Sequence, residues 1–402
     1  MKKIKGCYMK NKSNYLITGL IFLCLGLVSC GPKKDSQSVN NTNEPATATH
    51  NAGQPEEIVV PEPNEKLNDA ARFVAGMPVR NENSKLYALT QTKEWKNHAR
   101  NMDQIWNSFQ QNAPKIFSFT QTELNDINRR IKTLFYPFGG PDFLFSNAFF
   151  PDVDTYFLIG LERTGNVIEV RHPSQRTYKL YQDAVSDVLS LSFFRTRDMS
   201  VEMVNDTIDG VVPIISMLMA RTNKEIISIR DVRITANGQI SATNDDGSAL
   251  TQRTGLVEMK FFRQGTRKLQ TLYYYETDLS NEGMEKNKPL VNYIRNLDRN
   301  TTATFIKSAS YLMHAPGFSG IRELVLEKSS AVIQDDSGIP ITYYPAGQWN
   351  VTLYGTFYKP IADYAHYPQP ELRDAYQLGD PKPLNFRIGF ARQSNLQIAR
   401  RK

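Results

Sequence analysis

Apolar residues are distributed along this chain in three ways. Tyr15 to Val28 is a nearly unbroken apolar run, preceded by Lys2, Lys3, Lys5, Lys10 and Lys12. Gly31 to about Pro63 is polar and rich in Asn, Ser, Thr, Pro and Glu, with one apolar island at Ile58-Val59-Val60. Such a segment buries too little to offset its ordering entropy, which predicts a disordered tether over residues 30–64. Beyond it, apolar positions recur at helix or strand spacing.

Over 65–131 the spacing is helical. Leu67, Ala70, Ala71 and Val74 share one face, as do Trp95, Met102, Ile105, Trp106 and Phe109. A further helix is predicted to open with Thr122 as N-cap and to carry Leu124, Ile127 and Ile131. Thr133–Tyr136 and Tyr156–Ile159 are compact apolar runs stopped by Pro or Gly, which predicts buried strands. Helices are expected at Tyr178–Phe194, Val211–Arg221, Pro289–Leu297 and Phe318–Ser329, and strands at Glu225–Ile234, Ala331–Gln334 and Trp349–Tyr358. Leu256–Arg263 and Leu269–Thr277 read as antiparallel segments, and Thr302–Ser310 follows the third of those helices. This interleaving predicts an α/β fold with a mixed, mostly parallel sheet and flanking helices. Strand, Pro/Gly loop, Phe-bearing short helix and strand occur in that order at 133–161 and again at about 303–335. A duplicated half-sheet, with similar lobes at 132–280 and 281–402, and the ordinary grammar of α/β chains both produce that order.

The apolar run at Tyr15–Val28 is shorter than the ~20 residues of a spanning helix, so with its basic start it reads as an export signal over residues 1–29. It ends in Leu27-Val28-Ser29-Cys30-Gly31, which resembles a bacterial lipobox; an ordinary signal peptide with a chance cysteine is the alternative. The resemblance implies a chain beginning at lipidated Cys30, attached to the membrane by its lipid, in the bacterial cell envelope as an outer-membrane lipoprotein of undetermined face. Cys7 and Cys24 would leave with the signal, so the mature body holds no free thiol. A disulfide framework, a Cys-ligated metal and a catalytic cysteine are excluded there. The formal net charge of +7 includes those five lysines, and residues 30–402 carry 7 − 5 = +2. With no basic helix, RNP-like motif or zinc finger, nothing favours nucleic acid.

Candidate chemistry sits at expected strand ends. Phe135-Tyr136-Pro137-Phe138-Gly139-Gly140-Pro141-Asp142 places backbone amides and Asp142 at the carboxyl edge of a sheet, where open α/β folds bind ligands, and Glu162 follows the next strand. Its spacing matches neither a Walker loop nor a GxGxxG fingerprint, and a structural turn is the competing reading. Lys307-Ser308-Ala309-Ser310-Tyr311-Leu312-Met313-His314, with Arg322 and Gln334-Asp335-Asp336-Ser337-Gly338, supplies residue types used in hydrolytic or divalent-metal sites. No complete motif is formed: Ser308 lacks a GxSxG elbow, and Asp-Asp-Ser-Gly is also an ordinary turn. Asn244-Asp245-Asp246-Gly247 reads as a hairpin tip, and His98 as part of a polar helix. Tyr273, Tyr274, Tyr275, Trp349, Tyr354, Phe357 and Tyr358 would make a glycan-stacking platform if their outward faces aligned.

The segments YPFGGPD, FFP, Tyr156 to Gly160-Leu161-Glu162, KSASYLMH, DDSGIP and LYGTFYKPI, over about residues 120–365, resemble an uncharacterised family of exported bacterial lipoproteins of the Bacteroidetes type. Asp206-Thr207-Ile208 is similar to the short O-glycosylation acceptor of those bacteria. The resemblance implies no activity, cofactor or catalytic assignment. It leaves Asp142, Glu162, Lys307, His314, Asp335 and Asp336 as candidates for a hydrolase or transferase site. The leading expectation is a binding or envelope-assembly lipoprotein with no cofactor and a protein or glycan partner.

Overall fold

The computed structural model of the chain describes residues 61–168, 173–191, 210–266, 268–389 and 394–402. The chain divides into two units, Met1–Glu57 and Ile58–Lys402, and every described residue lies in the second. Cys30, the tether before residue 61 and Asp206-Thr207-Ile208 fall outside the described residues. Among those described, no helix is long and apolar enough to cross a membrane.

The segment 65–131 is helical as its spacing predicts. Helix α1 (Glu65–Val74) starts where the Asn64 side chain accepts the Leu67 N–H at 3.1 Å. Helices α2 (Lys85–Thr90), α3 (Lys93–Glu123) and α4 (Asn125–Asn128) follow. Thr122 is not an N-cap: α3 runs through it, and its hydroxyl donates back to the Ser118 carbonyl at 3.1 Å. A Thr inside a helix satisfies itself this way, so the residue type alone does not mark a start. His98 is also not on a solvated face. It is buried against Tyr178 and bonded to Val74 and Gln182.

The centre of the body is one nine-stranded sheet. Its strands are β1 (Thr133–Tyr136), β2 (Thr155–Gly160), β3 (Lys224–Asp231), β6 (Leu256–Arg263), β7 (Leu269–Glu276), β8 (Thr302–Ile306), β9 (Ala331–Gln334), β10 (Trp349–Gly355) and β11 (Asn395–Arg401); β4 (Arg233–Ile234) and β5 (Ile240–Ser241) form a separate hairpin. The order is β10-β11-β9-β8-β1-β2-β7-β6-β3. The five strands from β9 to β7 pair in parallel, with an antiparallel pair added at each side. The fold is therefore α/β, with a mixed sheet that is parallel at its middle. Residues from both 132–280 and 281–402 hydrogen-bond into it, since β1 pairs with β8.

Alternate strand residues face two helical layers. Leu134, Tyr136, Tyr156, Leu158, Ala303 and Phe305 join one core with α1, α3, α5 (Phe143–Phe149), α6 (Gln175–Leu191) and α7 (Val212–Arg221). Phe135, Phe157, Ile159, Ile306 and Val332 join the other with α8 (Asn281–Lys286), α9 (Lys288–Asn296) and α10 (Ser319–Lys328). Near-continuous apolar strands are what a sheet covered on both faces requires. From the central β1–β8 pair, the crossover through α5 runs outward to β2 and the crossover through α10 runs the opposite way to β9. The chain thus has a topological switch point between β1 and β8, and the loops leaving their carboxyl ends border it.

Among the elements outside the sequence expectation are β5, α8, α11 (Pro370–Leu378) and β11. The strand expected to reach Tyr358 stops at Gly355, whose φ of +80° turns the backbone so that its N–H bonds the Lys382 carbonyl at 2.8 Å.

Candidate functional site

At the switch point the structure joins Asp142 and Lys307. Asp142 caps α5 by accepting the Phe145 N–H at 3.0 Å, and it also accepts the Tyr136 hydroxyl at 3.0 Å. Lys307, the first residue after β8, places Nζ 2.8 Å from Asp142 Oδ2 and 4.0 Å from the centre of the Phe145 ring. Burial and the Asp142 carboxylate raise the Tyr136 phenol well above its usual value, so it stays a proton donor to that carboxylate.

Glu162, after β2, accepts the Tyr274 hydroxyl at 3.2 Å on Oε2 and packs against the loop that follows β1. A Cβ on Gly140, which has φ +54°, would lie 3.3 Å from the Glu162 carboxylate oxygens. The positive φ favours glycine there, and any side chain would also press on the Glu162 carboxylate.

On the other side of Lys307, the loop after β8 is laced to the loop after β9. The Ser308 N–H donates to Asp335 Oδ2 at 2.7 Å and the Ala309 N–H to Ser337 Oγ at 2.7 Å, while Asp335 Oδ1 accepts the Ser337 N–H at 3.0 Å. The Tyr311 hydroxyl donates to Asp336, which also accepts Asn395 Nδ2 at 2.8 Å. Asp335-Asp336-Ser337-Gly338 is thus a turn, closed by the side chain of Asp335. Burial first, and then the charge of Asp336, push the Asp335 carboxyl up to about 7; Asp336 is also raised, by burial.

Backbone strain collects in the same place. Ser308, Ser310 and Tyr311 have φ of +52°, +51° and +55°, a left-handed region that side chains rarely enter. His314 packs its ring against Tyr311 and Tyr367, and burial pushes it down to about 4. Ser308 Oγ and His314 Nε2 are buried atoms with no hydrogen-bond partner.

The chain therefore brings the candidates to one edge of the sheet, Asp142, Lys307 and Glu162 on one side of the loop after β8 and Asp335, Asp336 and His314 on the other. Lys307 pairs with Asp142, and the next residue, Ser308, bonds Asp335, whereas Glu162 reaches this edge through Gly140 of the loop after β1; Asp142, Glu162, Lys307, Asp335 and Asp336 are none more than 6% exposed. Tyr136, Tyr274 and Asn395 hold these carboxylates and were not legible as site residues, because in sequence the tyrosines are simply apolar strand positions. Among the described residues, no group of three His, Cys, Asp or Glu side chains is placed to hold a metal ion. The aromatic strands contribute to the interior: Tyr274, Trp349, Tyr354 and Phe357 are buried, Tyr273 donates to Glu258, and Tyr358 has its ring exposed.

Comparison with protein-family models, curated proteins and solved structures finds no match to the chain.

Proposed function

We propose that the protein is a lipid-anchored protein of the bacterial cell envelope, held through Cys30 on a tether, whose α/β body works by binding an envelope partner rather than by turning over a substrate. The observation that favours binding is how the candidate acid–base groups are used. Lys307 and Asp142 neutralise each other out of solvent, while Asp335 and Asp336 are committed to backbone amides, Ser337, Tyr311 and Asn395. A nucleophile must lie within hydrogen-bond reach of its base, and neither Ser308 Oγ nor His314 Nε2 has any partner. No metal or other cofactor enters this reading.

Palmitate labelling of growing cells tests the anchor. Wild type should carry label and fractionate with membranes, and Cys30→Ala should lose both; an unlabelled wild-type chain removes the anchor. A hydrolase or transferase at the switch point is the second reading, favoured by the strained Ser308 beside an Asp335 whose carboxyl is pushed up to about 7. Turnover by the purified chain, abolished in Ser308→Ala at an unchanged melting temperature, would establish it in place of binding.

A further inference from the structure

The first two turns of α3 form one wall of a groove of about 550 Å³, lined by Gln91, Lys93, Lys96, Asn97, Ala99 and Arg100. Trp95, also in the lining, is itself buried and fixes the helix by donating its indole N–H to the Phe73 carbonyl at 3.1 Å. Lys93, Lys96 and Arg100 are exposed, and no carboxylate among the described residues lies within ion-pair distance of them; Arg100 bonds only the neutral Asn97 side chain. The acidic residue of that turn, Glu94, is outside the lining and acts electrostatically on Tyr178 of α6. Residues 65–402 carry a net charge of +5 by sequence, and three cations without a carboxylate partner among the described residues stand together along this one short stretch of α3.

The groove also lies close to where the chain leaves for its tether. Gly76, two residues beyond α1, packs on Ala99 in the groove wall, with only 2.9 Å from its would-be Cβ to the Ala99 Cα. The ten residues of α1 span about 15 Å, so the wall stands roughly one short helix from Asn64. If the 35 residues from Cys30 to Asn64 behave as the coil their composition predicts, their root-mean-square span is only about 30–35 Å. A chain acylated at Cys30 would therefore keep this groove within reach of its own bilayer.

We infer that this groove docks the body on the anionic headgroups of the membrane that carries its anchor, with Lys93, Lys96 and Arg100 contacting lipid phosphates. This rests on the lipid-anchored reading above. Each cation near an anionic bilayer strengthens association about fivefold, so losing all three weakens docking about a hundredfold, and salt screens what remains.

The test uses the full acylated protein reconstituted in vesicles, with hydrogen exchange followed over residues 93–100. Exchange should be several-fold slower in vesicles containing phosphatidylglycerol than in pure phosphatidylcholine. The difference should vanish in K93Q/K96Q/R100Q, whose exposed and unpaired side chains can be replaced without unfolding, and at high salt. Equal exchange in the two vesicle types, or slowing that survives the triple substitution, overturns the groove as the docking site. The mass of the N-terminal peptide is read separately: a chain without acyl groups at Cys30 overturns the anchored reading, and the inference with it.

Discussion

Lys307 Nζ lies 2.8 Å from Asp142 Oδ2 at the carboxyl ends of the paired strands β1 and β8, where their crossovers run apart, with both side chains almost wholly buried. The pair ties the two outward crossovers together at the centre of the sheet. Removing one member of a buried ion pair leaves an uncompensated charge, whereas removing both leaves a neutral gap. Lys307→Met should therefore destabilise the fold by about 3–5 kcal/mol in urea unfolding. Lys307→Met combined with Asp142→Asn should cost clearly less than the sum of the single changes. Strict additivity would show that the two charges do not depend on one another.

Asp335 sets an unusual pH dependence. Its folded carboxyl is raised to about 7 from an ordinary 3.8, so between those values the folded state binds more protons than the unfolded one. Its contribution to stability is complete below about pH 4 and is lost as pH rises through about 7. The stability of Asp335→Asn relative to wild type should accordingly climb from pH 4 to 7, by an amount on the order of a few kcal/mol, and level off above. Unfolding free energies measured at intervals across that range decide it, and a difference that stays flat would sink the assignment.

Much of this architecture was legible because strands covered on both faces announce themselves. Thr133–Tyr136, Tyr156–Ile159 and Ala331–Gln334 are short apolar runs with hard stops, and they became β1, β2 and β9 with little change in boundary. β11 was hidden because its apolar positions, Leu396, Ile398 and the small Ala399, are few and are followed by Arg400 and Arg401; what makes it a strand is its place between β9 and β10. The site was half legible. Asp142 and Lys307 could be picked out as strand-end residues, but they are separated by 165 positions, and only the β1–β8 pairing makes them neighbours. The polar ends of Tyr136 and Tyr274 gave no signal, since each reads as one more core aromatic until its hydroxyl meets a carboxylate.

His98 titrates in the sense opposite to Asp335. Its ring is buried, with Nε2 at 2.9 Å from the Val74 carbonyl and Nδ1 accepting from Gln182 at 3.1 Å, an arrangement that suits the neutral tautomer. Burial pushes it down to about 4. The unfolded state then binds the extra proton first, so its contribution is whole above about 6.5 and is lost as pH falls towards 4. The His98 ring resonances should remain those of neutral imidazole at pH 5, with His314 behaving alike because it too is pushed down to about 4. A His98 titration midpoint near 6.5 would contradict the buried geometry.

Asn68 closes the edge of the sheet at β3. Its amide donates to the Ile226 carbonyl and accepts the Ile226 N–H, both at 2.8 Å, and so takes the place of a neighbouring strand. Just inside the same edge strand, Lys224 is buried with its ammonium 5.7 Å from the Phe261 ring centre, and burial pushes it down to about 8. A charge pointing inward from an edge strand opposes pairing with another chain, because addition of a strand there would shut the charge in further. Asn68→Ala leaves a buried N–H without its acceptor and removes one of the donors to the Ile226 carbonyl, which the Asn64 N–H still reaches at 2.8 Å. The expected cost is about 1–3 kcal/mol in urea unfolding. It should come with a rise in light scattering on heating that Lys224→Leu, made in the same background, makes worse. If Asn68→Ala lowers stability but neither variant aggregates, the edge is protected by the α1 backbone alone, and the two polar side chains serve packing instead.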